Sequence, residues 1–148
     1  MGLFSLFDLI KLYTDGGSRG NRIGRGRCAI GIVLGDVNDQ VILELGEYIG
    51  FGTNNWAEYK ALIKGLTLAR KYSSNTVECY SDSQLLVNQL NGVYQVKNVK
   101  LKRLYLQVKE LEKNFRSVVY NYFARTHPMI ARADMLVNRE LDMFNSLR

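Results

Sequence analysis

The stretch that decides the fold is TNNWAEYKALIKGLTLARKYSSNTVECYSDSQLLVNQL, residues 53–90. It opens on three capping-type residues, Thr53-Asn54-Asn55, and then places Glu58, Leu62, Gly65, Leu66 and Ala69 on one stripe of a helix running to about Tyr72. Val77 to Ser81 is an apolar strand, and Ser83 to Leu90 is a short helix stopped by Asn91-Gly92. Helix, strand and helix in immediate succession require crossover connections and parallel strand pairing.

Upstream of this stretch the period is that of strands. Leu9 to Thr14 is a first strand ending at Asp15 and a Gly16-Gly17-Ser18 turn, Arg27 to Leu34 a second, and Val41 to Ile49 a third. Their close spacing favours an antiparallel meander. Downstream, Val99 to Asn114 is a helix with Leu101, Leu104, Val108 and Leu111 on its apolar face, Val118 to Ala124 a strand, and Ile130 to Leu147 a closing helix. The order βββαβααβα is that of an α/β protein, with residues 1–8 as an N-terminal extension and 9–148 as one domain.

Composition narrows the partners. The 148 residues carry a net charge of +6 and are 47% hydrophobic, enough for a real core. The apolar runs are short and broken by Asp8, Lys11 and Asp15, which excludes a membrane span. The start, MGLFSLFDLIKL, has no basic leader or small-residue cleavage site, and Leu6 stands where a myristoylation signal needs Ser or Thr. A cytoplasmic, monomeric protein without an obligate protein partner is expected. Cys28 and Cys79 both fall in strands and read as buried thiols. The positive charge is clustered, with Arg19, Arg22, Arg25 and Arg27 in one glycine-rich loop and Lys97, Lys100, Lys102 and Arg103 in a second segment, which points to phosphate contacts.

Four acids are out of place. Glu58 sits on the stripe that Leu62 and Leu66 bury, and Asp134 shares a helical face with Ala133, Val137, Leu141 and Phe144. A lone charge is expensive at such positions. Asp15 and Asp82 each end an apolar strand, where ligand sites collect in sheets with crossover connections. Asp82 also has a plain reading as an N-cap. If the two strands are parallel neighbours, their carboxylates meet, and they repel one another unless a cation neutralises them. Oxygen ligands without Cys or His suit Mg²⁺ or Mn²⁺.

The segments LYTDGGSRGN, TNNWAEYKALIKGL, YSDSQLLVNQLNG and ARADMLVN resemble, in order and spacing, the four catalytic motifs of type 1 ribonuclease H. NGVYQVKNVKLKRLY resembles the compact, archaeal-like branch that lacks a basic protrusion. The resemblance implies a five-stranded mixed sheet in the order 3-2-1-4-5 flanked by helices, which sets Cys28 and Cys79 about 10 Å apart. It implies hydrolysis of the RNA strand of RNA/DNA hybrids by two metal ions, Mg²⁺ or Mn²⁺, leaving 5′-phosphate and 3′-hydroxyl ends. Asp15 then bridges both ions, Asp134 completes the water-side ion, and Glu58 and Asp82 complete the leaving-group ion. Gly17, Ser18, Asn21, Glu58 and Ser83 are implied contacts to RNA hydroxyls. Asn54, Asn55 and Gln84 lie by bases or sugars on the DNA side, and Thr53, joined by Asn98, holds a DNA phosphate.

The chain also departs from the family. Ala124 stands where many members have a loop His, leaving His127 either an auxiliary group or a cap of the last helix. Asn21-Arg22-Ile23-Gly24-Arg25 replaces the usual Asn-Pro-Gly, and Arg22 and Arg25 are expected to add phosphate contacts. Among the aromatics only Trp56 falls beside the expected groove; Tyr59, Tyr105 and Tyr120 read as core. The alternatives are a DNA-cutting nuclease of the same fold, resolvase-like or integrase-like, and a slow or inactive hybrid-binding module.

Overall fold

Strand β1 is the axis of the molecule, and its alternation sorts the helices onto two faces. The structure is a computed structural model describing residues 5–22 and 25–146, with the side chains of residues 21, 22, 145 and 146 outside the description. The elements run β1 (Leu9–Arg22), β2 (Arg25–Gly35), β3 (Val41–Gly52), α1 (Asn54–Ala69), β4 (Thr76–Ser81), α2 (Gln84–Leu90), α3 (Val99–Glu112), β5 (Ser117–Tyr122) and α4 (Pro128–Ser146). The five strands form one sheet in the order β3-β2-β1-β4-β5. β1–β2 and β2–β3 are antiparallel; β4 runs parallel to β1 and β5 parallel to β4.

Ile10 and Leu12 of β1 face α1 and join Ile30, Ile32, Leu34, Leu62 and Leu66 in the larger core, which α2 and α3 complete. Tyr13 faces the other way, against Val33, Ile130, Ala133 and Leu136 under α4. Leu62 and Leu66 are fully buried. Each contributes about 1.5–3 kcal/mol, together comparable to the several kcal/mol that burying the Glu58 carboxylate on the same helix costs. Cys28 and Cys79 are free and buried, on β2 and β4 with β1 between them.

One expectation from the sequence changes here. β1 does not turn at Gly16-Gly17-Ser18 but stays paired with β2 through Gly16↔Ile30, Gly17↔Ala29, Ser18↔Cys28 and Arg19↔Arg27. The arginine-rich segment is therefore largely strand rather than loop. The glycines serve close approach. A Cβ on Gly16 would lie 2.4 Å from the Ala57 backbone of α1, and one on Gly31, the partner of Asp15, 2.1 Å from the Ala133 carbonyl oxygen of α4. Both helices thus press onto the sheet at the level of Asp15, which side chains there would prevent. At the N-terminal extension the Leu6 and Phe7 amides donate to the Tyr72 carbonyl, and Phe7 packs on the larger core. Residues 1–4 lie outside the description.

Candidate active site

Parallel pairing brings the first two acids together. The last β1–β4 pair is Tyr13↔Tyr80, and the same register carried two residues on sets Asp15 level with Asp82. Glu58 comes from α1, where the Gly16 amide donates to its Oε1 at 3.1 Å. One carboxylate oxygen from each of Asp15, Glu58 and Asp82 lies within 4.8 Å of the others. Asp134 reaches the group from α4 at the rim of a cleft of ≈ 350 Å³ that Asp15, Gly17, Asn54, Glu58 and Arg125 also line. Its Oδ2 accepts from Asn138 Nδ2 at 3.3 Å.

The electrostatics are those of a site short of positive charge. Asp15 is 2% exposed, and its Oδ1 is a buried oxygen without a hydrogen-bond partner among the described residues. Burial first, then the Asp82 and Asp134 carboxylates, push the Asp15 carboxyl up to about 8. Burial and the charges of Asp15 and Asp82 also hold Glu58 well above the ordinary glutamate range. Asp82 is not the helix cap, since Ser83 Oγ accepts the Leu86 amide at the start of α2.

Arg125, on the connection between β5 and α4, is the residue that sequence reasoning missed. Its Nε donates to Asp82 Oδ2 at 2.9 Å and lies 4.0 Å from Asp134 Oδ1. With the arginine side chain 65% exposed, this contact is worth about 0–1 kcal/mol, so it only partly offsets the repulsion. Its one sequence signal is that it directly follows Ala124, the position of the loop His in the motif pattern. His127 caps α4. Its Nδ1 accepts the Met129 amide, its carbonyl accepts the Ala131 amide, and its ring stacks on Tyr13 and lies tilted against Phe123.

A second hollow of ≈ 660 Å³ adjoins the cleft across the start of α1. Arg25, Phe51, Thr53, Asn55, Trp56 and Asn98 line it, together with Lys100. Asn54, between Thr53 and Asn55, faces the cleft and accepts the Ser18 amide at 2.7 Å. Thr53 and Asn98 also cap α1 and α3 through Trp56 N–H and Leu101 N–H. Gln84 is exposed at the start of α2. The side chains of Asn21 and Arg22 lie outside the described residues. Tyr59 and Tyr120 are buried, with their hydroxyls on Gln89 and Glu112.

A mixed sheet of this order, with carboxylates gathered where the pairing of its two central parallel strands ends and helices on both faces, defines the ribonuclease H fold. A family model described as "Reverse transcriptase-like" matches residues 14–139. Ribonuclease HI of Halobacterium salinarum is 36% identical over 133 residues, covering 90% of this chain and 64% of that protein. The crystal structure of the RNase H1 from that archaeon superimposes with a TM-score of 0.84 over 90% of this chain and 98% of its own. The bifunctional protein Rv2228c of Mycobacterium tuberculosis is 36% identical over 134 residues, of which this chain spans 35% of the length. LC11-RNase H1, solved in complex with an RNA/DNA hybrid, is 36% identical with a TM-score of 0.83 over 94% of this chain and 99% of its own. The chain belongs to the type 1 ribonuclease H family. As in the compact branch, only residues 91–98 connect α2 to α3, with no helix between them.

No helix among the described residues is long and apolar enough to cross a membrane.

Proposed function

We propose that the chain hydrolyses the RNA strand of RNA/DNA hybrids with the help of two divalent ions, Mg²⁺ or Mn²⁺, leaving 5′-phosphate and 3′-hydroxyl ends. The observation that carries this is the buried Oδ1 of Asp15, without a hydrogen-bond partner among the described residues, inside a cluster of three carboxylates. Such a group stays charged only beside a cation, and an all-oxygen donor set fits a hard one. The donors therefore fit the ions that the family implies.

Asp15 would hold both ions, Asp134 the one on the water side, and Glu58 and Asp82 the one on the leaving-group side. Bound there, the ions supply an activated water and charge stabilisation at the leaving 3′-oxygen. The chain's own residues orient the reactants. The Gly16 amide pins Glu58, and the close approach of α1 to β1 keeps that carboxylate from drifting. Arg125 is anchored weakly enough to leave Asp82 when a stronger cation arrives and to turn towards a substrate phosphate.

Hybrid reading is divided between the two hollows. Gly17, Ser18, Asn21 and Ser83 border the RNA path, where 2′-hydroxyls mark the strand to be cut. Asn54, Asn55 and Gln84 lie towards the DNA strand. Thr53, Asn98, Arg22 and Arg25 meet its phosphates, with Trp56 offering a face for a sugar or base. His127, engaged as a cap, takes no part. Residues 9–148 form the catalytic domain, working as a cytoplasmic monomer without an obligate partner.

The test sets an RNA/DNA hybrid beside double-stranded RNA, double-stranded DNA and a DNA duplex with one ribonucleotide, each with Mg²⁺, Mn²⁺ or EDTA. Cleavage of the hybrid's RNA strand with either ion, and none in EDTA, is expected. Cutting of plain DNA, as a resolvase-like enzyme would do, or cutting in EDTA overturns the proposal, and hybrid binding without cutting identifies a binding module.

A further inference from the structure

Two residues that line the cleft, Arg19 and Asn138, have no part in the roles just proposed. Along α4, Asp134, Asn138 and Asp142 recur every four residues and so line one face of the helix. Arg19, four residues beyond Asp15 on β1, lies across that face. Its Nη2 donates to Asn138 Oδ1 at 2.9 Å and its Nη1 to Asp142 Oδ1. Asn138 Nδ2 in turn donates to Asp134 Oδ2 at 3.3 Å. Arg19 and Asn138 both line the carboxylate cleft.

We propose that Arg19 is a positioning residue for Asp134, acting through Asn138: the guanidinium fixes which end of the asparagine amide faces the carboxylate, and the amide then aims Asp134 into the cleft. This rests on the reading of Asp134 as a metal ligand. The chemistry allows one arrangement. A primary amide has an acceptor end and a donor end, whereas a guanidinium has only donors. With Arg19 on one side, the carbonyl oxygen of Asn138 must face it, which leaves the NH₂ group for Asp134. Without Arg19 the amide is free to turn, and the flipped form sets its oxygen against the carboxylate. An exposed amide on a helix surface does not hold one orientation alone, and a single pair at this spacing is weak. Asp142, by pairing with the other arm of the fork, gives the guanidinium its fixed place. The two donors aimed at α4 are thereby committed to that helix rather than to a passing phosphate. The arrangement also ties the strand that carries Asp15 to the helix that carries Asp134.

The experiment measures Mn²⁺ binding to the full chain by electron paramagnetic resonance of the free ion, alongside hybrid cleavage at a range of Mn²⁺ concentrations. The proteins are wild type, Asn138→Ala, Arg19→Ala, the double variant, Arg19→Lys and Asp15→Asn, each checked for an unchanged circular dichroism spectrum. Loss of a hydrogen bond to a ligating carboxylate weakens metal binding about 10-fold at the lower end of such effects. Asn138→Ala and Arg19→Ala are each expected to show that loss, and the double variant no more than either alone, because both break one chain. Arg19→Lys, which still presents a donor to the asparagine oxygen, is expected to recover most of the affinity. The hybrid KM at saturating Mn²⁺ is expected to stay within about twofold of wild type in all four of these variants, since no phosphate contact is lost. Unchanged Mn²⁺ affinity in Arg19→Ala, or losses that multiply in the double variant, overturns the proposal. So does a raised hybrid KM with normal Mn²⁺ affinity, which makes Arg19 a phosphate contact. Asp15→Asn separates the two levels of the claim: if it binds Mn²⁺ as tightly as wild type, the metal reading of the cleft fails, and the positioning role with it.

Discussion

Two acidic regions of this molecule lie at opposite sides of the sheet's parallel half, and they treat their carboxylates differently. At the α3–β5 edge, Glu112 Oε2 accepts from the Tyr120 hydroxyl and from Lys109 Nζ at 3.2 Å, while Lys109 also donates to the Leu90 carbonyl. Every member of that cluster has a partner. Where the pairing of β1 with β4 ends, Asp15 has an oxygen with none among the described residues, and burial and the neighbouring carboxylates raise the proton affinity of Asp15 and Glu58. A carboxylate kept with its partners serves the fold, whereas one kept without them at a measurable electrostatic penalty serves a ligand.

The sharpest way to break this contrast is a pair of isosteric changes. Asp15→Asn should lower hybrid cleavage by about 10³-fold or more, as expected when the ligand shared by both ions is lost. Glu112→Gln should leave the rate within about twofold but destabilise the protein by about 1–2 kcal/mol, through the loss of a charged hydrogen-bond acceptor. Steady-state kinetics and urea unfolding read both, and an active Asp15→Asn or an inactive Glu112→Gln would erase the distinction.

Metal addition separates the regions next. Mg²⁺ or Mn²⁺ at 100 times its dissociation constant should stabilise the wild type and Glu112→Gln by about 2.7 kcal/mol and Asp15→Asn by little. Differential scanning calorimetry with and without EDTA measures this, and an equal shift in Asp15→Asn would move the cation elsewhere.

The third prediction concerns pH. With its carboxyl pushed up to about 8, folded Asp15 retains a proton that the unfolded chain releases near pH 4, and Glu58 is shifted in the same direction. Between about pH 4 and pH 8 the folded state therefore binds more protons, so metal-free stability falls as pH rises through that window and levels off above it. Asp15→Asn should flatten the decline and be more stable than wild type above pH 8. Unfolding in EDTA at four or five pH values checks the sign, and a stability that climbs with pH would contradict it.

The smallest effect sharpens a third region, the hollow beside α1. Thr53 caps that helix from the wall of the hollow. Thr53→Ala should cost about 1 kcal/mol of stability and raise the hybrid KM a few-fold, while Thr53→Ser should keep the cap. Equal KM in all three proteins would leave Thr53 a cap alone.

Much of this architecture could be read from residue patterns, because burial imposes periodicity. The change of period at Thr53 revealed the crossover half of the fold, and Glu58 betrayed itself as a charge on a stripe otherwise filled by Leu62 and Leu66. What stayed hidden depends on contacts distant in sequence. Gly16-Gly17-Ser18 has the composition of a turn, yet β1 runs straight through it because α1 and α4 need the space that missing side chains leave. Arg125 is an exposed arginine on a connection, and no local pattern says that it will lie between Asp82 and Asp134. Arg19 looked like one more member of a basic loop until pairing with β2 fixed it opposite α4.

The parallel register between β1 and β4 has a consequence for how this site can fail. Side chains alternate across a strand, so moving β1 by a single residue against β4 turns Asp15 over to the opposite face. No intermediate displacement preserves the ladder. Variants that disturb the pairing of these strands should therefore divide into two populations, one fully competent and one inert, rather than grade smoothly between them. The geometry of the centre is in this sense digital: it is inherited from an integer, the number of residues by which two neighbouring strands are offset.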